Sequence, residues 1–580
     1  MLKLAQYLKP FWLGLMLIVL LLLGQALAEL YLPTLMSDIV EDGIIYAYVT
    51  ETPRTEFILQ TGGLMLFIAF LAGSASLTAA YISPRIAAGM ARNLRRDLFT
   101  KVESFSQAEF DKFSSASLIT RCTNDVAQVQ GLANIFARTL LYAPIMAIGG
   151  ITMALTRSVS MAWIIVLAVI ILLGLVLIIV NIVMPKFKIV QTMVDALNKV
   201  SREILHGLMV IRAFGTQSHE KIRFEKSNAD LRDLGLFIAR VMSVVGPAIT
   251  FIMGGTQILV IWVGAHQVAN GNLPIGDMMA FMQYAMQVII AFMMISMVLV
   301  MVPRAQVSAA RISEVLHTEL TIKDPPNPEY FTETSVNKGQ VVFNDVSFNY
   351  PGAEASVIEN ISFTAQSGQT TAIIGATGSG KSTLALLLQR FYDVSQGKIT
   401  IDGLDIRNVR QADLRKKIGF VPQKGQLISG TIASNIRYGR PNTTDEEMKA
   451  IATIAQAIDF IHDKEDQFES EIAQGGTNVS GGQRQRLSIA RALAKKPEII
   501  VFDDSFSALD FQTDAKLRKA LKEHIGNATV IVIAQRVGTI INAEQILVID
   551  EGKIVGRGTH ETLLKSCPAY HEIASSQGVV

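Results

Sequence analysis

The sequence predicts a two-part fold: an α-helical membrane domain with six transmembrane helices, followed by a water-soluble α/β domain. Half of all residues are hydrophobic and 18% are charged, which is an apolar composition for a soluble protein. The apolar residues are concentrated in long charge-free runs in the N-terminal part, whereas the part after residue 340 has an ordinary soluble composition. A glycine-rich loop between a predicted strand and a predicted helix in that second part indicates an α/β core.

Six stretches are long and apolar enough to cross a membrane, which takes about 20 residues in helical form. Lys3 and Lys9 precede the first of them as in a signal peptide, but that apolar run is too long for a signal core. Six buried helices in one soluble core are the disfavoured alternative, because some of the stretches contain no charge at all. The predicted spans are Phe11–Tyr31, Gly62–Ile82, Leu132–Thr156, Ala162–Met184, Val241–Ala265 and Met278–Val302.

Basic residues are distributed unevenly between the connecting segments. Pro84–Arg138 carries eight Lys and Arg residues and Pro185–Arg240 carries ten, whereas the acidic loop predicted at Met36–Phe57 carries Arg54 alone. Cytoplasmic segments of membrane proteins are enriched in Lys and Arg. We therefore expect a multi-pass protein of the cell membrane with both termini and the soluble domain in the cytoplasm, and the two basic segments extending their helices below the membrane.

The predicted domains are a transmembrane domain at 1–316, a linker at 317–339 and a soluble domain at 340–580. The linker prediction depends on Pro325, Pro326 and Pro328, which prevent a continuous helix. A net charge of +2 without a basic stripe argues against a nucleic-acid partner. Cys122 and Cys567 are too isolated in the sequence to suggest a disulfide framework or a metal cluster.

The glycine-rich loop has the sequence GATGSGKS and fits the pattern G-x-x-x-x-G-K-[ST]. Its glycines allow the backbone to curl so that amide N–H groups point at phosphate oxygens, and the following helix adds its N-terminal dipole. In such a loop Lys381 reaches the β- and γ-phosphates and Ser382 coordinates Mg²⁺. The predicted nucleotide-binding residues of this segment are Gly375, Thr377, Gly378, Ser379, Gly380, Lys381, Ser382 and Thr383.

A second motif, EIIVFDD at 498–504, places two carboxylates directly after a buried strand. Ligands of open α/β sheets bind at the carboxyl ends of the strands. Asp503 is therefore predicted to hold Mg²⁺ beside the phosphates.

With these motifs the sequence resembles the ATP-binding cassette exporters, specifically their half-transporters, over nearly its whole length. Tyr350 matches the aromatic residue that stacks on adenine, and Gln423 matches the loop glutamine that contacts Mg²⁺ and nucleotide. VSGGQ at 479–483 matches the signature motif, and Asp510 matches the loop after the magnesium strand. The resemblance implies ATP and Mg²⁺ as cofactors, and two cassettes that bind ATP between one glycine-rich loop and the partner's Ser480, Gly481, Gly482 and Gln483.

Two positions depart from the family pattern. Asp504 stands where the family has the catalytic glutamate, and Gln535 stands where it has the switch histidine. Both changes weaken hydrolysis and leave binding intact, so Asp504, Gln535 and Gln423 form a catalytic set that we expect to be impaired. The resemblance then implies a heterodimer with a different half-transporter that retains Glu and His. The open alternatives are a homodimeric lipid or drug exporter and an ATP-gated regulatory membrane subunit.

The cargo is expected to be a hydrophobic or amphiphilic compound, either drug-like or lipid-like. The sixth span is rich in methionine, which adapts to varied apolar ligands but more often serves helix packing. Gln257, Gln283 and Gln287 lie at membrane depth and are expected to face the bundle interior. Glu29, near the outer end of the first span, either attracts cationic cargo or reaches towards the lipid headgroups.

Overall fold

A computed structural model of the chain describes residues 2–332 and 338–579. These residues form two compact units. The first contains the chain up to Glu103 and Ser115–Thr318, and the second contains Ser104–Ser114 and the chain from Glu319 onward. The short segment Ser104–Ser114 therefore belongs to the second unit although the sequence places it inside the predicted transmembrane domain.

The first unit is entirely helical in its described secondary structure. Short 3₁₀ segments lie at Leu2–Phe11 and Val159–Met161, and π-helical segments lie at Ile39–Ile45, Arg121–Asp125 and Phe136–Leu140. The α-helices are α1 (Trp12–Asp38), α2 (Tyr46–Thr50), α3 (Thr55–Glu103), α5 (Ser115–Thr120), α6 (Val126–Ile135), α7 (Leu141–Arg157), α8 (Ala162–His206), α9 (Leu208–Phe214), α10 (Gln217–Ser243), α11 (Val245–Ala269) and α12 (Ile275–Leu316), with α4 (Gln107–Phe113) in the second unit.

Among the described residues, six helical stretches are long and apolar enough to cross a membrane, so this is a multi-pass membrane protein. The predicted extension beyond the apolar spans is confirmed, because α3 has 49 residues and α8 has 45. The six stretches are Leu4–Thr50, Thr55–Glu103, Ser115–Arg157, Val159–His206, Gln217–Ala269 and Ile275–Leu316.

The acidic loop predicted at Met36–Phe57 is wrong over most of its length. The helix of the first span continues through the π-helical Ile39–Ile45 into α2 and ends at Glu51, whose φ of 53° is left-handed. Pro53 follows at once and cannot continue a helix. No proline lies between Pro33 and Pro53, so none interrupts the helix in this segment, and the acidic residues alone did not indicate that.

The core of the first unit lies where α1, α7, α8, α11 and α12 meet. Gly149 and Gly150 of α7 permit close packing, because a Cβ atom would lie 2.3 Å from Leu30 Cδ1 at Gly149 and 2.8 Å from Val288 Cγ2 at Gly150. The methionines of α12 are divided between packing and exposure. Met278 and Met282 pack against this core, Met286 and Met293 pack against a second cluster between α8, α11 and α12, and Met297 is 67% exposed.

The second unit combines two larger sheets with helices on both faces. Its strands are β1 (Val341–Phe348), β2 (Ile358–Ala365), β3 (Thr370–Gly375), β4 (Gln396–Ile401), β5 (Leu404–Asp405), β6 (Ile418–Val421), β7 (Gly430–Thr431), β8 (Glu471–Ile472), β9 (Ile499–Asp503), β10 (Thr529–Ile533), β11 (Gln545–Asp550) and β12 (Lys553–Gly558). Its helices, besides α4, are α13 (Lys381–Leu388), α14 (Gln411–Lys417), α15 (Ile432–Arg437), α16 (Asp445–Ile454), α17 (Ile458–His462), α18 (Gly481–Ala494), α19 (Phe511–His524), α20 (Val537–Ile540), α21 (His560–Ser566) and α22 (Pro568–Ser576), with 3₁₀ turns at Gln467–Glu469 and Gln474–Gly476.

The principal sheet has the strand order β12-β11-β3-β10-β9-β6, parallel except for the edge strand β12. An antiparallel sheet of order β2-β1-β4-β5 packs on one of its faces. Side chains alternate between the two faces of a strand. In β9, for example, Ile499 and Val501 join the core beneath the antiparallel sheet, and Ile500 and Phe502 join the core beneath α18 and α19.

The described part of the predicted linker contains no helix, in agreement with its prolines. Glu329 forms an isolated bridge to Val409 of the second unit. The linker residues 333–337 lie outside the described residues. The fold predicted from the sequence, a six-span helical domain followed by an α/β domain, is thus the one observed.

Candidate nucleotide-binding site

Four neighbouring strands bring the predicted site residues to one edge of the principal sheet. β3 leads into the glycine-rich loop, β10 ends two residues before Gln535, β9 ends at Asp503, and β6 ends two residues before Gln423. These four strands are parallel, so their carboxyl ends share one edge. Segments that are more than 100 residues apart in the sequence therefore meet where such sheets bind ligands.

The glycine-rich loop turns tightly between β3 and α13. A Cβ atom at Gly375 would lie 2.0 Å from the backbone oxygen of Ile549 on β11, so the strand pairing excludes any side chain there. Gly378 and Gly380 have φ values of 87° and 94°, which glycine adopts without strain. Thr377 is exposed beside Gly378 at the tip of this loop.

The loop holds the ammonium group of Lys381 by its own oxygen atoms. Lys381 Nζ donates to the carbonyl oxygens of Gly375 at 3.0 Å and Ala376 at 2.6 Å, and to Ser379 Oγ at 3.4 Å. Burial lowers the pKa of this lysine, whereas the negative charges of Asp504 and Asp503 raise it. The positive charge of Lys381 therefore lies inside the loop, where it would be needed by a bound phosphate.

Ser382 and Asp503 lie together as a pair of oxygen ligands. Ser382 Oγ donates to Asp503 Oδ1 at 2.8 Å. Burial raises the pKa of the Asp503 carboxyl, the hydrogen bond from Ser382 lowers it, and the charge of Asp504 raises it again. Mg²⁺ prefers one or two protein oxygen ligands completed by phosphates and water. This hydroxyl and carboxylate fit that ion, and Ser382 and Asp503 would hold it.

Asp504 contacts both glutamines that sequence analysis assigned to the catalytic set. Gln423 Nε2 donates to Asp504 Oδ2 at 3.2 Å, and Gln535 Nε2 donates to the same oxygen at 3.1 Å. The Asp504 backbone is left-handed, with φ 45°, and its amide N–H donates to the Ile533 carbonyl oxygen at 2.8 Å. Aspartate is one of the few residues other than glycine that adopts this conformation readily. The two departures from the family pattern are thus in direct contact.

Tyr350 stands beside the helix that follows the loop. Its hydroxyl lies 3.2 Å from Thr383 Oγ1, and its ring makes edge contacts with Phe348 at 4.9 Å and Tyr392 at 5.2 Å between centroids. Aromatic neighbours at this spacing fix the orientation of a ring. Tyr350 is thereby positioned as a rigid aromatic surface beside α13.

The signature residues form the N-terminus of α18 and lie with the Asp510 loop. Gln483 N–H donates to Ser480 Oγ at 3.2 Å while Ser480 N–H donates to Gln483 Oε1 at 3.0 Å, a reciprocal capping box. A Cβ atom at Gly482 would lie 3.4 Å from the Ala508 carbonyl oxygen. Asp510 caps α19 by accepting from Thr513 N–H at 2.9 Å, and this hydrogen bond lowers its pKa. Gly481 is exposed at the helix start.

The structure does not join the signature to the glycine-rich loop of the same chain. In the described parts of the chain, 2–332 and 338–579, no side-chain hydrogen bond or ion pair connects residues 480–483 with residues 375–383. The site residues therefore form two separate groups, one around Lys381 and Asp503 and the other at the N-terminus of α18.

Comparison with known proteins gives matches over most of the chain. A family model described as ABC transporter transmembrane region matches residues 15–292, and one described as ABC transporter matches residues 358–507. An uncharacterized ABC transporter ATP-binding protein of Mycobacterium tuberculosis is 40% identical over 579 residues, which cover 99% of this chain and 98% of that protein. The chain belongs to the ABC transporter family.

Other ABC transporters similar to this chain have more specific names. A probable multidrug resistance ABC transporter ATP-binding/permease protein of Bacillus subtilis is 30% identical, over 98% of this chain and 96% of its own length. An ATP-dependent lipid A-core flippase of Vibrio vulnificus is 29% identical, over 99% and 98%. The solved structure of a bacterial Atm1-family ABC exporter with ATP bound matches with a TM-score of 0.79 and 25% identity over 98% of both chains. With one transmembrane region and one ATP-binding domain, the chain is a half-transporter of the ABC exporter type.

The ABC transporter domain binds ATP, normally with Mg²⁺. The metal ion neutralises charge on the phosphate oxygens. The residues of this chain would then have separate tasks around the phosphates: the loop amides and Lys381 would bind them, and Ser382 with Asp503 would hold the metal ion. Gln423 and Gln535 both contact Asp504, the residue directly after Asp503.

One residue of the site, Gln485 of α18, was missed by sequence analysis. It is 1% exposed, accepts from Gly425 N–H at 2.9 Å through Oε1 and donates to the Pro422 carbonyl oxygen at 3.0 Å through Nε2. It therefore clamps the loop that carries Gln423 onto the helix that carries the signature. The available signal was a glutamine on the core-facing side of an amphipathic helix, where a polar residue needs a specific partner.

ATP binding by the full-length chain is expected to weaken by about 10- to 10²-fold in Lys381→Met, because a hydrogen bond to a charged group is worth about 1.5–3 kcal/mol. Methionine keeps most of the side-chain volume in this buried position. Binding of a fluorescent ATP analogue measures the change. Lys417→Met is the matched control, since the Lys417 side chain is only 13% exposed but pairs with Asp402 and Glu498. Equal affinities in Lys381→Met and the unmodified chain would contradict the assignment of Lys381.

Proposed function

We propose that this chain is the subunit with the impaired ATP site in a heterodimeric exporter of hydrophobic or amphiphilic compounds. The observation that carries the proposal is the contact between Asp504 and Gln535. A general base must reach the attacking water, and the aspartate carboxylate stops about 1.3 Å short of a glutamate, a displacement comparable to those that cost about 10²-fold in rate. One of its oxygens also accepts from two amides.

Gln535 also supports an impaired site, because its amide contacts Asp504 Oδ2, the oxygen that accepts from Gln423. A histidine at this position has a protonatable ring, whereas a glutamine amide stays neutral. Gln535 Nε2 also donates to Asp504, so its amide is engaged with the residue that would activate water. Neither change replaces Lys381, Ser382 or Asp503. ATP binding is thus expected to persist while hydrolysis in this site is slow.

The signature residues of this chain supply the other half of the proposal. VSGGQ is intact, and in the described parts of the chain it makes no side-chain hydrogen bond to the glycine-rich loop. The N-terminus of a helix favours the binding of an anion. We assign Ser480, Gly481, Gly482 and Gln483 to the ATP held by a different half-transporter that retains the catalytic Glu and His.

Cargo and orientation rest on the names of similar proteins and on the distribution of basic residues. Similar proteins are named for multidrug resistance and for lipid A-core flipping, which are both tasks on amphiphilic molecules. The Lys- and Arg-rich segments beyond the second and fourth spans favour a cytoplasmic ATP-binding domain and cytoplasmic termini in a cell-membrane protein. The proposed organisation is a transmembrane domain at 1–316, a linker at 317–339 and the ATP-binding domain at 340–580.

The purified chain without a partner is expected to bind ATP and to hydrolyse it slowly, on the order of 10²-fold below a pair with a competent site. The physical reason is the position of the Asp504 carboxylate and its two amide contacts. Steady-state ATPase activity in lipid, with and without the co-expressed half-transporter, measures the difference. Rapid turnover by the chain alone that disappears in Lys381→Ala would contradict the impaired site and favour a homodimer.

A further inference from the structure

We propose that the membrane domain contains a binding site for a protonated amine, built around Glu29 by Gln25, Tyr142 and Gln287. The inference rests on the proposed export function and names one class of cargo for it. That class is amphiphiles whose polar end is an ammonium group carrying N–H bonds.

Three helices meet at Glu29 of α1. The Tyr142 hydroxyl, from α7, donates to Glu29 Oε2. Gln25 Nε2 donates to Glu29 Oε1 at 2.9 Å from one turn earlier in α1. Gln287 Nε2, from α12, donates to the Glu29 backbone carbonyl oxygen at 3.2 Å. The carboxylate is thus held against its neighbouring helices, which disfavours the alternative that it reaches towards the headgroups.

Two acceptor oxygens of this cluster have no hydrogen-bond donor among the described residues. Gln25 Oε1 and Gln287 Oε1 are both buried and accept no hydrogen bond within the described parts of the chain. Glu29 takes part in none of the ion pairs formed by residues 2–332 and 338–579. The amide orientation of Gln25 is fixed, because exchanging its oxygen and nitrogen would set oxygen against the carboxylate. The cluster therefore lacks a donor and a positive charge, and an ammonium group supplies both.

Glu29 lies near the outer end of the predicted span Phe11–Tyr31, and it is the one charged residue of α1 before Asp38. At 1.5 Å per residue, Glu29 lies about 26 Å from Trp12 and about 14 Å from Asp38, the next acidic residue. Ionisable residues of membrane-spanning helices usually face the bundle interior or a cargo pathway and need a partner. The π-helical segment Phe136–Leu140, directly before α7, is a further feature that is common at functional sites.

Apolar surfaces flank the polar cluster on both sides. Tyr142 packs against one buried cluster that contains Ile18 and Leu22 and against another that contains Ala26 and Leu30. The apolar side chains around the cluster favour an ammonium group that carries an alkyl chain over a small inorganic cation. A trimethylammonium group has no N–H bond and cannot donate to the two glutamine oxygens. The site is therefore expected to distinguish protonated amines from quaternary ones.

The test compares three ligands of equal chain length, dodecylamine, dodecyltrimethylammonium and dodecanol, on the full-length chain in phosphatidylcholine nanodiscs at pH 7. Dodecylamine is expected to bind most tightly. Glu29→Gln should weaken its binding by about 10-fold or more, since a hydrogen bond between charged groups is lost. Gln287→Met, which keeps the side-chain length and removes the amide, should weaken it less and provides a second variant if Glu29→Gln does not fold.

The matched control is Glu56→Gln at the start of α3. Glu56 Oε1 accepts from Gln60 Nε2 at 3.2 Å, the same one-turn pairing as Gln25 with Glu29, but on an exposed surface. Dodecylamine affinity should be unchanged in Glu56→Gln. Equal affinity for all three ligands, or unchanged dodecylamine binding in Glu29→Gln or Gln287→Met, would overturn the site.

The two proposals fail in different ways. Because binding is measured on this chain alone, it does not depend on a partner or on hydrolysis. If dodecylamine binds as expected and the assembled transporter moves no amphiphile, the site stands and the export function fails. If amphiphiles are exported equally well in the Glu29→Gln variant, the export function stands and the site is overturned.

Discussion

The ATPase activity of the assembled transporter is expected to fall by about 10²- to 10³-fold in Ser480→Gly, the usual loss when one donor to developing charge is removed. Ser480 caps α18 through its hydroxyl, and its place at the helix N-terminus directs that hydroxyl and the following amides at an anion. Glycine at the same position costs the helix only a few tenths of a kcal/mol. Steady-state ATPase activity of the co-expressed pair, with the melting temperature alongside, measures the effect.

Thr444→Gly is the matched control for this prediction. Thr444 caps α16 with the same reciprocal arrangement, since Glu447 N–H donates to Thr444 Oγ1 at 3.2 Å. Both variants lose a capping hydroxyl, but only Ser480→Gly loses it in the signature motif. If the two variants reduce ATPase activity equally, the Ser480 hydroxyl has no role beyond capping. If Asp504→Asn abolishes activity while Ser480→Gly leaves it intact, the two ATP sites have been assigned in the wrong order.

Hydrolysis by the purified chain alone is expected to rise by about 10²-fold when Asp504→Glu and Gln535→His are combined, because a catalytic group misplaced by about 1 Å costs about that factor. The longer carboxylate would extend beyond the point where Asp504 is now held by two amides. Each copy of the chain keeps its own VSGGQ motif, so two copies of the double variant contain everything that a competent site needs. ATPase activity of the chain in lipid, without a partner, measures the gain.

The two substitutions are expected to be non-additive. Asp504 Oδ2 and Gln535 Nε2 are 3.1 Å apart, and residues in contact usually couple in a double-mutant cycle. Asp514→Glu is the control for lengthening a buried aspartate, since Asp514 pairs with Arg518 and not with either glutamine. A double variant that binds ATP normally and hydrolyses it no faster than the unmodified chain would locate the cause of slow turnover elsewhere.

The sequence predicted those features that depend on local pattern. Charge-free runs of sufficient length predict the spans, and the glycine-rich loop between a strand and a helix predicts its own geometry around Lys381. The sequence could not reveal that Asp504 and Gln535 touch, because their contact depends on β9 and β10 being neighbours in the sheet. Gln485 was missed for the same reason, since its partners at Pro422 and Gly425 belong to a distant loop.

The helical continuation of the first span shows a different limit of sequence reading. Acidic residues such as Glu41 and Asp42 indicated a loop, yet the backbone stays helical because no proline or glycine pair interrupts it before Glu51. Similarly, composition indicated that Glu29 lies in the first span but not which neighbours it has. Tyr142 and Gln287 are more than 100 residues away in the sequence, and helix packing alone brings them to Glu29.

The segment Ser104–Ser114 has a consequence for exchanging parts between transporters. Although it is encoded within the N-terminal half, it folds with the ATP-binding unit: Glu109 accepts from Thr321 N–H at 2.9 Å, and Tyr392 donates to Asp111 at 2.7 Å. A chimaera joined at the linker would therefore inherit this helix from one parent and its binding surface from the other. These contacts define which segments have to be exchanged together. A single crossover at the linker would divide Ser104–Ser114 from the unit with which it folds.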